Sequence, residues 1–265
     1  MKASLFALFV SLLMLGCGES LPLEELKMNG KHTEYYDDGQ KRVEGNYKDS
    51  EKEGLWTKWY ENGQKQGELN YKDGKMDGLA TLWYENGQKN DEGNFKDGKE
   101  DGLWTEWYQN GQKKEEQNYK DGRRDGLQTM WYDGGQKKAE GNFKDGKMEG
   151  FAKRWRKTGL ISEEGYWKAG KIMSVVMWKP NGEKCSHTNL KNGNGLVTGY
   201  YDNGQRTGVG NHVGGRFMSA IVFKPNGEKC PVTNLRNGNG VVVWYDEEGS
   251  EKTRRNFKNG EQFLD

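Results

Sequence analysis

Apolar residues are scarce in this chain: 32% of its 265 residues are hydrophobic and 31% are charged. That balance excludes a deep aliphatic core and by itself resembles the composition of disordered chains. Histidine and cysteine number three each. There is no Cys-x-x-Cys, and the one His near a Cys, His187 beside Cys185, has no counterpart at Val232 beside Cys230, so no metal site is expected. No Gly-x-Ser-x-Gly, Walker loop or His-Glu-x-x-His occurs, which removes the usual hydrolase, phosphate-loop and zinc-protease signatures. Neither sign of charge prevails, with 41 Lys plus Arg against 40 Asp plus Glu. Nucleic-acid binding needs a broad basic field, and none is implied. No cofactor is expected.

Aromatic residues, by contrast, reach 12%, with ten Trp and thirteen Tyr. Disordered chains lack such rings, and large rings cover surface that an aliphatic core would otherwise bury. They also recur in strict order. Trp59, Trp83, Trp107, Trp131 and Trp155 are spaced 24 residues apart, as are Gly54, Gly78, Gly102, Gly126 and Gly150. Asn62-Gly63, Asn86-Gly87 and Asn110-Gly111 keep the same step, and Asp73-Gly74, Asp97-Gly98, Asp121-Gly122 and Asp145-Gly146 mark the half-period.

Asn-Gly and Asp-Gly are strong signals for two-residue type I′ hairpin turns, which need positive φ at both central residues. The segments between them are aromatic-rich, Thr-containing and free of Pro, and so read as antiparallel strands. With two-residue turns throughout, Thr57 lies opposite Glu68, Trp59 opposite Gln66, Glu68 opposite Leu79 and Gln66 opposite Thr81. Leu55, Thr57, Trp59, Leu79, Thr81 and Trp83 then share one face, and Trp56, Tyr60, Leu69, Tyr71, Leu82 and Tyr84 the other. An even period preserves the face from unit to unit.

Residues 1–16 read as a signal peptide: Lys2 precedes an apolar run from Leu5 to Leu15 that is too short to span a bilayer comfortably. The run ends in Leu15-Gly16-Cys17, which resembles a bacterial lipobox; that resemblance implies acylation of Cys17. Residues 17–33 read as a tether. Gly18 rather than Asp after the Cys favours an outer-membrane lipoprotein of the cell envelope, held to the membrane through its N-terminal lipid.

Regular repeats occupy 34–170, and 171–265 are divergent hairpins carrying a 45-residue duplication. Lys179-Pro-Asn-Gly-Glu-Lys-Cys185 recurs as Lys224-Pro-Asn-Gly-Glu-Lys-Cys230. The expected fold is all-β: an elongated single-layer antiparallel hairpin array of about ten hairpins, wet on both faces and without an enclosed pocket. Cys185 and Cys230, two hairpins apart on strands, lie roughly 19 Å from one another at about 4.8 Å per strand and are not bridged.

Trp-Tyr-Glu-Asn-Gly-Gln-Lys at 59–65 and 83–89, followed by Tyr71-Lys-Asp-Gly-Lys75, resembles the MORN-variant repeat, also found in proteins labelled YwqK-family antitoxins. The resemblance covers roughly residues 28–265. It implies a scaffolding or binding role. The candidate binding residues are the aromatic ladder Trp59, Tyr60, Trp83, Tyr84, Trp107, Tyr108, Trp131, Tyr132 and Trp155. Read from the residues alone, the same ladder also serves as packing for a one-layer sheet. The recurring Glu68, Glu92, Glu116 and Glu140 read as a surface ladder rather than as catalytic pairs. The expectation is a non-enzymatic module on the envelope with a protein partner; a neutraliser of a toxic partner is the alternative, and a glycan hydrolase ranks third.

Overall fold

A computed structural model describes residues 27–263. The signal peptide and Cys17 lie outside those residues. Thirteen strands form one antiparallel sheet in chain order. They are β1 (Gly30–Tyr35), β2 (Lys41–Lys48), β3 (Glu51–Trp59), β4 (Lys65–Lys72), β5 (Lys75–Trp83), β6 (Lys89–Lys96) and β7 (Lys99–Trp107), then β8 (Lys113–Lys120), β9 (Arg123–Trp131), β10 (Lys137–Lys144), β11 (Lys147–Trp155), β12 (Ile161–Lys168) and β13 (Lys171–Met177). Two three-stranded sheets follow: β14 (Gly195–Tyr200), β15 (Arg206–Val213) and β16 (Arg216–Val222), then β17 (Gly240–Tyr245), β18 (Glu251–Lys258) and β19 (Glu261–Phe263). The all-β hairpin array is as expected. The strand ladder is not continuous, however, because residues 178–194 and 223–239 form turns and isolated bridges instead of strands.

The two kinds of turn differ. Asp73 and Gly74 both have positive φ (47° and 75°), as a type I′ turn requires. At Asn62-Gly63 only Gly63 does, with φ 81°. There the Gly63 N–H donates to the Tyr60 carbonyl (3.0 Å) and the Tyr60 N–H to the Gln64 carbonyl (2.9 Å), giving a longer turn that ends in a bulge. Asn62 therefore does not adopt the left-handed conformation. Its Oδ1 accepts from the Gln64 N–H at 3.0 Å, and its Nδ2 donates to the Glu85 carbonyl of the next repeat at 2.9 Å.

These turns correct the register. Thr57 does face Glu68, but Trp59 faces Lys65, and Gln66 is the extra residue of the bulge. At the other edge Glu68 faces Thr81, not Leu79, and Gly67 faces Leu82. Two additional residues of β5 are accommodated between the Leu69–Ala80 and Tyr71–Met76 pairs. The slip of two keeps the β5 side chains on their faces, so the assignment of Leu, Thr and Trp survives although the pairings change, whereas the one-residue bulge at Gln66 turns Lys65 onto the face of Glu68.

Neighbouring repeats are tied at both edges. The hydroxyls of Tyr60, Tyr84, Tyr108 and Tyr132 donate to the carbonyls of Trp83, Trp107, Trp131 and Trp155, each at 2.8 Å. At the other edge the N–H groups of Gly98, Gly122, Gly146 and Gly170 reach carbonyls of the preceding repeat at 2.8–2.9 Å. Each such bond contributes about 1 kcal/mol net. Arg156 occupies the Tyr position in the next repeat. Its buried guanidinium donates to the Trp178 carbonyl (3.3 Å) and the Tyr200 carbonyl (3.4 Å) and pairs with Asp202, joining the long sheet to β14.

The inner row of the second face shows how a one-layer sheet packs. Trp56 pairs with Leu69, Leu69 with Ala80, Ala80 with Gly93, and Trp104 with Gln117. A Cβ on Gly45 or Gly93 would fall inside the indole of Trp56 or Trp104. Each indole N–H donates to the carbonyl of Asn46 or Asn94 at 3.1 Å. Gly opposite Trp and Leu opposite Ala are alternative fillings of one space. Among the described residues a small enclosed core forms at the C-terminal end, where Val222, Cys230, Leu235, Val242 and Val243 are buried together.

Gly93→Leu is therefore expected to cost about 1–3 kcal/mol through overpacking against Trp104. Combined with Trp104→Ala it recreates the Leu69–Ala80 pair. Urea unfolding of the two single variants and the double should show the double destabilised by at least about 1 kcal/mol less than the sum of the singles; strict additivity would refute this complementarity.

Candidate functional site

The first face carries three parallel rows. Nearest the Asp-Gly edge stand Leu55, Leu79, Leu103, Leu127 and Phe151, between 44% and 75% exposed. The middle row alternates across β2–β10 as Glu44, Thr57, Glu68, Thr81, Glu92, Thr105, Glu116, Thr129 and Glu140, every neighbour directly paired. The third row is Trp59, Trp83, Trp107, Trp131 and Trp155, all half-buried.

The bulge at each Asn-Gly turn sets Lys65 on the face of Glu68, three residues on, and the pattern repeats. Lys41 pairs with Glu44 at 2.6 Å, Lys89 with Glu92 at 2.5 Å and Lys137 with Glu140 at 2.6 Å, while Lys65–Glu68 and Lys113–Glu116 are equivalent. The same ammonium groups lie over the next repeat's indole: Lys41 is 5.8 Å from the Trp59 ring, Lys65 5.9 Å from Trp83 and Lys89 5.5 Å from Trp107. Lys41, with Lys31, holds the Glu44 carboxyl below the usual range. Each recurring Glu is thus matched by a Lys and flanked by buried Thr, and no two of them face each other. The structure brings Trp59, Trp83, Trp107, Trp131 and Trp155 into one row. The paired tyrosines Tyr60, Tyr84, Tyr108 and Tyr132 instead direct their hydroxyls into the next hairpin.

A carboxylate row that sequence reasoning missed lies on the opposite face. Asp91 faces Glu106, and Glu106 faces Glu115, on β6, β7 and β8. Burial first, then Glu106, push the Asp91 carboxyl upward. Lys114 bonds Glu106 at 2.8 Å and the Gln128 amide donates to Glu115 at 2.5 Å. The equivalent positions elsewhere are Gly67, Leu82 and Met130, so periodicity gave no signal for it. At the end of this face, burial and then Lys252 of β18 lower the Lys138 ammonium. A cleft of about 390 Å³ there is lined by Arg154, Met177, Gly208, His212, Phe217 and Trp244. Burial lowers His212 to about 4, and its ring stacks on Phe217 at 4.9 Å.

Cys185 and Cys230 are free and buried, as expected for unbridged thiols, but both lie in the turn segments and not on strands. Their surroundings are duplicated. Tyr200 and Thr188 contact the Cys185 sulfur at 3.4 and 3.6 Å; Tyr245 and Thr233 contact the Cys230 sulfur at 3.1 and 3.4 Å. Burial pushes both thiols up, and the surrounding donors outweigh it, leaving each below its ordinary value. His32 packs against Tyr47 and Trp56, and the His187 backbone bonds the Cys185 sulfur. Among the described residues no group of three or more His, Cys, Asp or Glu is placed to hold a metal ion.

Fold and surface together define a hairpin-repeat protein whose periodic groups form extended faces. Five stretches, residues 28–49, 52–73, 76–97, 100–121 and 124–145, match the family model of the MORN repeat variant. Those five stretches are thus similar to MORN repeats, which are generally associated with binding or scaffold roles. No curated protein matches the chain.

Two titrations test these placements. Asp91 is raised in the folded chain, so its contribution to stability is present at acid pH and lost as pH rises through the folded value. Asp91→Asn should therefore stabilise at pH 7 by a few tenths of a kcal/mol, after screening of this half-exposed group, and lose that advantage at low pH; a lower melting temperature at pH 7 refutes the like-charge contact. His212 is depressed from its ordinary 6.5 to about 4. The unfolded chain binds the additional proton between those values, so stability is complete above pH 6.5 and declines towards pH 4. Denaturant titrations should show up to about 2 kcal/mol of this decline, discounted for partial exposure, disappearing in His212→Phe. An unchanged acid limb rules it out.

Proposed function

We propose that this chain is a non-enzymatic binding module of the cell envelope, held there by a lipid on Cys17, and that it engages a protein partner through the face bearing the Leu and Trp rows. The observation that carries this reading is the file of half-exposed Leu55, Leu79, Leu103 and Leu127 continued by Phe151. At about 10 Å per hairpin these five side chains extend over roughly 40 Å. An apolar strip of that length, rimmed by charge, is the signature of an interaction surface. Its immediate neighbours are already satisfied: each Glu has its Lys, and each Thr is buried. The strip is therefore the part of this face left for another molecule. The absence of facing carboxylates in the Glu ladder supports binding over glycan hydrolysis.

The triple variant Leu79→Glu, Leu103→Glu, Leu127→Glu tests it. These side chains already meet water, so melting should shift by no more than about 3 °C, within what sub-kilocalorie surface changes allow. Capture of envelope proteins by the purified chain should fall at least tenfold. Capture equal to that of the unmodified chain, with folding intact, would reject this face as the binding surface.

A further inference from the structure

The edge formed by the Asp-Gly turns changes character along the molecule. In the long sheet its turns read Lys72-Asp73-Gly74-Lys75, Lys96-Asp97-Gly98-Lys99, Lys120-Asp121-Gly122-Arg123 and Lys144-Asp145-Gly146-Lys147. Each carries a carboxylate of its own. A second carboxylate, 20 residues earlier, accepts the turn N–H: Glu53 for Asp73 (3.1 Å), Asp77 for Asp97 (3.2 Å) and Asp125 for Asp145 (3.3 Å). Cations and anions balance there.

From residue 168 onward the same edge continues without those anions. The successive turns are centred on Ala169-Gly170, Asn192-Gly193, Gly214-Gly215, Asn237-Gly238 and Asn259-Gly260. They stay in one file, because the Gly215 N–H donates to the Gly193 carbonyl and the Gly260 N–H to the Gly238 carbonyl, both at 2.8 Å, while Gly193 and Gly238 reach Met173 and Met218 at 2.7 and 2.8 Å. The acceptor position also loses its charge. Asn194 Oδ1 accepts the Gly214 N–H at 3.0 Å and Asn239 Oδ1 the Asn259 N–H at 3.2 Å. An amide fills the structural role that a carboxylate fills in the long sheet, so the geometry of the turn does not dictate the charge.

What remains is a line of Lys168, Lys171, Lys191, Arg216, Arg236 and Lys258. All but the half-buried Lys171 are exposed. Among the described residues only Glu149 and Glu261 oppose them, Glu149 bound to the Ala169 N–H at 2.7 Å and Glu261 to Arg216 at 3.4 Å. Among the described residues the other five cations have no ion-pair partner.

We propose that this stretch of edge is a binding site for a linear acidic polysaccharide. The cations follow one file of turns, two at the first turn and one at each of the next four, which suits a periodic chain better than a plane of lipid headgroups. The exposed carboxamides of Asn192, Asn237 and Asn259 alternate with them, offering hydrogen bonds to hydroxyls beside ion pairs to carboxylates. Among the described residues no exposed aromatic ring stands between the cations, so the base stacking that holds single-stranded nucleic acid has no platform there. This site lies on the rim, apart from the face proposed for the protein partner, and does not depend on it.

The probe is polygalacturonate, titrated into the purified chain at low and moderate salt. Binding should weaken steeply as salt rises, because counterions are released from a charged polymer. Lys168→Glu, Lys191→Glu, Arg236→Glu together should lower affinity at least tenfold with melting unchanged, and the control Lys72→Glu, Lys96→Glu, Lys120→Glu should stay within twofold. Absence of binding at low salt, an equal loss in the control, or tighter binding to an oligo-dT strand or to anionic vesicles than to polygalacturonate would each overturn the proposal.

Discussion

Everything in this molecule depends on hydrogen bonds that join one turn to the next at the two edges of the sheet. A single-layer sheet has little core, so strand pairing alone leaves each hairpin held by its neighbours' backbones and by rings lying flat across glycine. The Tyr hydroxyls on one side and the Gly N–H groups on the other convert a meander into a ladder fixed at both ends. Stability in such arrays is a sum of contacts between adjacent units. The edge bonds are the contribution that does not vary from repeat to repeat, which leaves the faces free to vary.

That division explains the three surfaces. On the first face the bulges after Gly39, Gly63, Gly87, Gly111 and Gly135 each bring a lysine within reach of the glutamate three residues ahead and the tryptophan of the next unit, so one repeated irregularity underlies the Lys–Glu–Trp network. On the second face, volumes are exchanged in pairs along one row and charge is allowed in another, where Asp91, Glu106 and Glu115 accumulate. On the rim, the same turn geometry is kept with carboxylates in the long sheet and with amides beyond it. Where the ladder is interrupted, Arg156 takes over the reach of a tyrosine with a group that can satisfy two carbonyls and a carboxylate at once.

Much of this was legible in the sequence because period and turn chemistry are local. The strands, the shared face of Thr57, Thr81, Trp59 and Trp83, the Thr57–Glu68 pair and the unbridged cysteines all followed from them. The failures in register come from two bulges, one at each edge. The Asn-Gly dipeptide predicts positive φ at Asn62, yet its side chain caps Gln64 and reaches Glu85, and the turn lengthens to allow it. Every mispaired partner, Gln66 for Lys65 or Leu79 for Thr81, descends from a bulge that pattern alone does not locate. Residues 178–194 and 223–239 carry turn motifs that look like hairpins but fold as turns and isolated bridges, each burying one leucine, Leu190 or Leu235. The candidate site was less legible than the fold: the Trp row was visible, whereas the exposure of the leucines and the acidic row depend on which neighbours fall beside them.

The alternation along the inner row has a bearing on how such a molecule changes length. Gly45 with Trp56 and Gly93 with Trp104 are two hairpins apart, and the intervening unit holds Leu69 with Ala80. Excising one hairpin would bring two indoles onto the same glycine, whereas removing two restores neighbours of matching size. The backbone repeats every 24 residues, but its packing on this side does not: the units that follow set Gln117 against Gln128 and Gly141 against Ala152. Gain or loss of a segment is thereby limited by which side chains it makes neighbours, not by the backbone that joins them.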